Sequence, residues 1–195
     1  MVRALHYKEH HTATRIRDAA IKLFAEHGYA AVSMRQLAAE VGVQAGALYI
    51  YIPDKQTLLY DLMRDHLEEL LAEWRAMPKG DDPLQRLEAF VRFHIDHMLA
   101  RPDAVFVAYM ELRNLAPQNY VAITALRGAY EHELERILRD GMQQNLMRVP
   151  DAKLTTKALL AMMTGVTGWC REGGRLSRER VERIYWKLAR RAVGA

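Results

Sequence analysis

The chain has one cysteine, Cys170, among 195 residues. A disulfide framework needs pairs and a cysteine-based zinc site needs several thiolates, so composition excludes both. Six prolines and eleven glycines are too few for a Pro/Gly-rich linker. No run of about 18 uncharged apolar residues occurs, which excludes a transmembrane helix. No stretch alternates apolar and polar residues over the length of a strand, and no repeat of about 20–50 residues is visible. The opening residues, Met1 to His11, lack the apolar core of a secretory signal, so the chain is expected to be cytoplasmic. What is there is a chain that is 50% hydrophobic, which excludes intrinsic disorder. The net charge is +4. Both ends are basic and the middle is acidic, and a basic N-terminal region fits a nucleic-acid partner.

The apolar period is helical throughout. Ile16, Ala19, Ala20, Leu23 and Phe24 fall on one stripe of a helix that Gly28 stops. The arm before that stripe, with His6, His10 and His11, reads as a tail without fixed structure. Ser33 with Gln36 three residues on forms a capping box for a short helix over about 33–40. Gly42 ends it, a third short helix spans about 44–51, and Pro53 stops that one. Asp54 is a good N-cap for a helix over 55–76. Further helices are predicted near 82–100, 103–115, 117–145, 151–169 and 177–192. The fold class is all-α, with about nine helices.

Three short helices with a tight glycine turn between the second and third describe a helix-turn-helix. Its third helix enters the major groove and its second crosses the phosphate backbone. The reading helix is then Gln44–Tyr51.

The run Ile16-Arg17-Asp18-Ala19-Ala20-Ile21-Lys22-Leu23-Phe24-Ala25-Glu26-His27-Gly28-Tyr29 resembles the start of a TetR-family transcriptional regulator. So do Ser33-Met34-Arg35-Gln36-Leu37-Ala38-Ala39-Glu40-Val41-Gly42-Val43, then Gly46-Ala47-Leu48-Tyr49-Ile50-Tyr51, then Lys55. The resemblance implies a homodimer that binds palindromic double-stranded operator DNA. It implies a DNA-binding domain over 1–54 and a ligand-binding and dimerisation domain over 55–195. A small-molecule ligand would release the DNA, which makes the chain a repressor. Thr164 to Ser177, with Glu111-Leu112-Arg113-Asn114-Leu115 upstream, resembles a branch that controls fatty-acid, phenylacetate or sterol degradation. That resemblance implies an acyl-CoA effector.

On the DNA side the expected contacts are Arg35, Gln36, Gln44, Ala45, Gly46, Tyr49, Tyr51 and Lys55. Ala45, Gly46 and Ala47 have no hydrogen-bonding side chain, so small residues let the backbone approach the groove and alanine methyls meet thymine methyls. Hydrogen-bonded readout then falls to Arg35 on guanine and Gln44 on adenine. The alternatives are that Arg35 touches only phosphate and that Gln44 only caps its helix. The family usually has Ser or Thr at the position of Gln44. Tyr49, Tyr51 and Lys55 match phosphate-binding positions, where a hydroxyl or ammonium fixes register without reading sequence. Arg15 and Arg17 are further phosphate candidates, with ordinary solvation as the alternative.

On the ligand side, Met63, Met77, Met98, Met110, Met142, Met147, Met162 and Met163 suit either a pocket for a flexible apolar ligand or a core. His94, Tyr109 and Arg113 are polar residues on apolar stripes and would supply the few polar contacts of such a pocket, beside Met110. A buried satisfied histidine and an interhelical arginine pair are the alternatives. Trp169, Arg171, Arg175 and Arg178 would offer a stacking face and cations for the CoA phosphates; a solvated basic surface or dimer rim is the alternative. For dimerisation, one stripe holds Leu159, Met162 and Val166 with Leu154, Ala158 and Met163. Another holds Ile184, Tyr185 and Leu188 with Val181, Ala189 and Ala192. Two such helices make a four-helix interface across a two-fold axis. No cofactor and no metal site is expected. An α-helical enzyme, or an adaptor with a non-functional helix-turn-helix, is the competing reading.

Overall fold

The computed structural model describes residues 2–171 and 173–195, with side chains from His11 onward. Glu172, within the run compared above, and the side chains of His6 and His10 lie outside them. Nine α-helices are present among the described residues, and no strand. They are α1 (Val2–His27), α2 (Met34–Val41), α3 (Ala45–Tyr51), α4 (Lys55–Ala76) and α5 (Pro83–Ala100). Then follow α6 (Pro102–Met110), α7 (Pro117–Gln143), α8 (Ala152–Thr164) and α9 (Arg178–Ala192). Two 3-10 turns, Leu112–Asn114 and Gly165–Gly168, follow α6 and α8. None of these helices is long and apolar enough to cross a membrane.

Local signals set most of the helix ends. Ser33 and Gln36 form the reciprocal capping box, with the Gln36 amide donating to the Ser33 hydroxyl at 3.2 Å and the Ser33 amide donating to Gln36 Oε1 at 2.8 Å. Asp54 accepts the Thr57 amide at 2.8 Å, and that bond holds its carboxyl below the ordinary carboxylate value. Asp82 accepts from Leu84 and Gln85, with Pro83 in the first turn of α5. The first helix begins at Val2, so the arm with His6, His10 and His11, expected as a tail without fixed structure, instead continues the helix that carries the Ile16 to Phe24 stripe.

The chain forms two compact units. The first holds residues up to Leu67 and Asp103–Thr124. In it, α1 packs on α2 and α2 on α3. Ile16, Ala20 and Phe24 of α1, Leu37 and Val41 of α2, and Leu48 of α3 form the common core. Full burial of one such side chain is worth roughly 1.5–3 kcal/mol, so each short helix is held by one or two anchors rather than by its own propensity.

The second unit holds Glu68–Pro102 and Ala125–Ala195. Here α5 packs against both α8 and α9. Trp74 meets Phe90 edge-on, with ring centroids 4.8 Å apart, and Phe90 stacks on Tyr130 at 5.1 Å. Val181, Tyr185 and Ala189 bury one face of α9. Met98, Met147 and Met163 are buried, so those methionines fill core, whereas Met142 is exposed.

Two predicted helices are shorter than expected. The helix near 103–115 stops at Met110, because Glu111 leaves helical geometry and sends its carboxylate to the Tyr29 amide and the Asn114 side chain. The helix near 151–169 tightens into a 3-10 turn at Gly165, where the Thr167 hydroxyl donates to the Thr164 carbonyl at 3.0 Å.

Candidate nucleic-acid interface

The turn between α2 and α3 is built on Gly42. Its φ of 71° lies in the left-handed region that side chains rarely adopt, and its amide donates back to Ala38 and Ala39, closing α2. After Val43 and Gln44, α3 begins. Leu48 is fully buried, and it fixes which way the helix faces. At about 100° per residue, Gly46 and Ile50 lie opposite Leu48 and Tyr49 lies beside them, whereas Ala45 is on the side of Leu48 and only half-exposed. Tyr49 is 52% exposed and Ile50 79% exposed. A Cβ placed on Gly46 would meet nothing within 4 Å. The small residue is therefore not required by packing within this chain.

The polar residues expected on this surface divide in three. Arg35 and Gln44 are exposed. Gln44 is the N-cap residue of α3, but its side chain makes no capping bond, so the amide is not committed to the helix end. Gln36 is exposed, yet its Oε1 accepts from both the amide and the hydroxyl of Ser33. The third group is engaged by the chain itself. Arg15 donates to the Val41 carbonyl at 2.7 Å, where it closes the end of α2. Arg17 pairs with Asp65. Lys55 donates to the Tyr29 carbonyl, and its ammonium lies 4.1 Å from the centroid of the Tyr29 ring. Burial lowers the Lys55 pKa, against a pull upward from Glu111. Tyr51 is half-buried, consistent with the angular argument that it cannot share the face of Tyr49.

Around Tyr29 lies a network that the sequence did not announce. Its amide donates to Glu111 Oε1 at 3.2 Å, and Gln56 Nε2 donates to its hydroxyl at 2.8 Å. Gln56 also donates to the Asn114 carbonyl at 2.7 Å and accepts from the Ala116 amide at 2.9 Å. The partners are separated by up to 82 positions, so no local pattern could reveal them.

The ligand-side residues fall in both units. His94 is fully buried in the second. Its Nδ1 faces the Tyr130 hydroxyl and its Nε2 the Thr164 hydroxyl, each at 3.1 Å. Trp169 is half-exposed and stacks on Tyr185 at 6.3 Å. The guanidinium of Arg171 donates to the carbonyls of Thr167, Gly168 and Cys170, closing the 3-10 turn. Arg178 pairs with Asp96 at 2.9 Å. Arg175 is exposed. In the first unit, Tyr109 is half-buried, and Met110 and Arg113 are exposed. Of the dimerisation residues, Leu159, Val166 and Tyr185 are buried within their own subunit, whereas Met162 is half-buried and Ile184 and Leu188 are exposed. No cluster of three or more metal-ligating side chains occurs among the described residues.

This arrangement has known counterparts. The family model for bacterial regulatory proteins of the tetR family matches residues 16–62. The model for the tetracyclin repressor-like C-terminal domain matches residues 80–193. The HTH-type transcriptional repressor KstR2 of Rhodococcus jostii is 26% identical over 178 residues, which covers 90% of this chain and 87% of the relative. The crystal structure of the TetR-family regulator PfmR from Thermus thermophilus is 31% identical, with a TM-score of 0.83, covering 92% of this chain and 98% of that one. AibR, solved with isovaleryl coenzyme A and operator DNA, shares the fold at a TM-score of 0.80 and 23% identity, covering 91% of this chain and 97% of that one. With residues 16–62 and 80–193 both matched, the chain belongs to the TetR family of DNA-binding transcriptional regulators.

Proposed function

We propose that this protein is a cytoplasmic homodimeric repressor that leaves a palindromic operator when an acyl-CoA thioester binds. One observation carries the DNA side. The face of α3 opposite buried Leu48 is outward, with small residues at its start and Tyr49 beyond. Residues 1–54 read DNA, and residues 55–195 bind the effector and dimerise. Arg35 reads guanine and Gln44 reads adenine in the major groove, while Ala45 and Gly46 let the backbone approach. Tyr49 holds phosphate. Gln36 keeps its amide hydrogens for the same purpose, and Tyr51 contributes at the margin, while Lys55 is held by Tyr29.

The effector class is supported by the relatives. KstR2 is named a repressor, and AibR was solved with an acyl-CoA and DNA. The acyl group would sit in the second unit, where His94 supplies a polar point among aromatic rings. Trp169 and Arg175 would meet the nucleotide end, and Arg171 would do so only by releasing its three carbonyls. Tyr109, Met110 and Arg113 are the candidates in the first unit for contact with an effector. Dimerisation would use the outward faces of α8 and α9. Leu154, Ala158, Ala161 and Gly165 make an exposed stripe on the first, and Ile184 and Leu188 on the second. Met162 flanks the stripe of α8, whereas Leu159, Val166 and Tyr185 support these helices from within.

The test is fluorescence anisotropy on a palindromic duplex selected from a random pool. Binding should weaken steeply with salt, and isovaleryl coenzyme A or a longer acyl-CoA should release the duplex. Arg35→Ala and Gln44→Ala should each relax base preference by roughly 1–3 kcal/mol. Unchanged preference in both variants refutes the assigned reading residues, and duplex retention under every acyl-CoA refutes the effector class.

A further inference from the structure

We infer that Ile50 reads the methyl group of a thymine, and so sets part of the operator's sequence. This rests on α3 being the groove-reading helix. Ile50 is 79% exposed, more than any other large apolar side chain among the described residues. Its exposure is not that of a loose end. It lies within the hydrogen-bonded turn that the Ile52 amide closes on the Leu48 carbonyl at 3.0 Å, and its neighbours Leu48 and Ile52 are both buried.

Direction follows from helical spacing. Gly46 and Ile50 stand at i and i+4, on one face, with Tyr49 beside them. Leu48 lies on the other side of the axis. With no side chain on Gly46 and nothing near its Cβ direction, the turn before Ile50 leaves it unshielded. A β-branched residue in a helix has essentially one rotamer, so its methyls are fixed before any partner arrives.

The chemistry then selects the target. Isoleucine cannot donate to phosphate or to a base edge, so the roles given to Tyr49, Gln44 and Arg35 are closed to it. The one apolar group that a base pair shows in the major groove is the C5-methyl of thymine. The discrimination expected is the scale of one buried methyl, about three- to fivefold in affinity for each thymine.

The experiment uses the whole protein and the duplex it selects from a random pool. Each thymine is replaced in turn by deoxyuridine, symmetrically in both half-sites, and affinity is read for the natural sequence and for Ile50→Ala. Removing an exposed side chain leaves the core intact, so the variant folds. At one position the natural protein should lose about tenfold on deoxyuridine, while Ile50→Ala should lose less than about twofold at that same position. Equal deoxyuridine penalties in the two proteins, or none in either, overturn the inference and leave α3 as the reader. Failure of the natural protein to select any duplex overturns both.

Discussion

The ammonium of Lys55, at the first position of α4, lies over the ring of Tyr29 and donates to the Tyr29 carbonyl. Tyr29 stands just past the end of α1, and the same residue binds Glu111 through its amide and Gln56 through its hydroxyl. A cation that the sequence offered to the phosphate backbone is thus a clamp between two helix ends. Partial desolvation and the nearby ring make that contact stronger than an exposed one.

If Lys55 is a clamp, Lys55→Ala should cost about 1–2 kcal/mol of stability. The slope of log affinity against log salt should change by less than about 0.5. A phosphate contact would instead remove about one unit from that slope and leave stability nearly unchanged. Thermal melts and salt titrations on the same preparations separate the two.

His97 gives the second unit an acid sensitivity. It is buried against Glu73 at 2.9 Å, and burial, outweighing Glu73, lowers its pKa from the ordinary 6.5. Burial pushes Glu73 up, but His97 and Arg101 hold it below its ordinary 4.5. Both groups bind protons more weakly folded than unfolded, so both contribute stability that is lost on acidification. The melting temperature should fall as pH drops through 6.5 and fall again below 4.5. His97→Gln should flatten the first step and shrink the second, since Arg101 would then hold Glu73 without the histidine. An unchanged profile in that variant would remove His97 from the account.

The outward and inward faces of α8 should behave differently on substitution. Leu154 is 66% exposed, whereas Leu159 is buried. Leu154→Glu, or Ile184→Glu on α9, should give monomers with unchanged helix content by sedimentation and circular dichroism. Leu159→Ala should lower the stability of the subunit by about 2–5 kcal/mol. A Leu154→Glu protein that remains dimeric would rule out this stripe as the interface.

Where a helix begins or ends is mostly a local matter, and it was legible. The capping box at Ser33, the turn at Gly42, the cap at Asp54 and the proline after Asp82 each act within four residues. The end of α6 was not legible, because Glu111 is drawn out of the helix by Tyr29, 82 positions earlier in the chain. Among the DNA-side residues, Arg35, Gln44, Gly46 and Tyr49 are exposed, whereas Ala45 and Ala47 are only half-exposed. Ile50 stands where the family often has His, so sequence marks it only as a lost phosphate contact; its 79% exposure is what the tertiary structure adds.

Amino-acid order alone therefore determined an all-helical chain, the boundaries of its short N-terminal helices and the family to which it belongs, since periodicity and capping are properties of neighbouring residues. Only the tertiary structure decided which apolar stripe faces inward and which cations remain free. Leu159 and Tyr185 turned in while Leu154 and Ile184 turned out. Arg15, Arg17, Lys55 and Arg171 found partners within the chain. A helical repeat specifies that a face exists; what covers that face depends on packing between segments far apart in the chain.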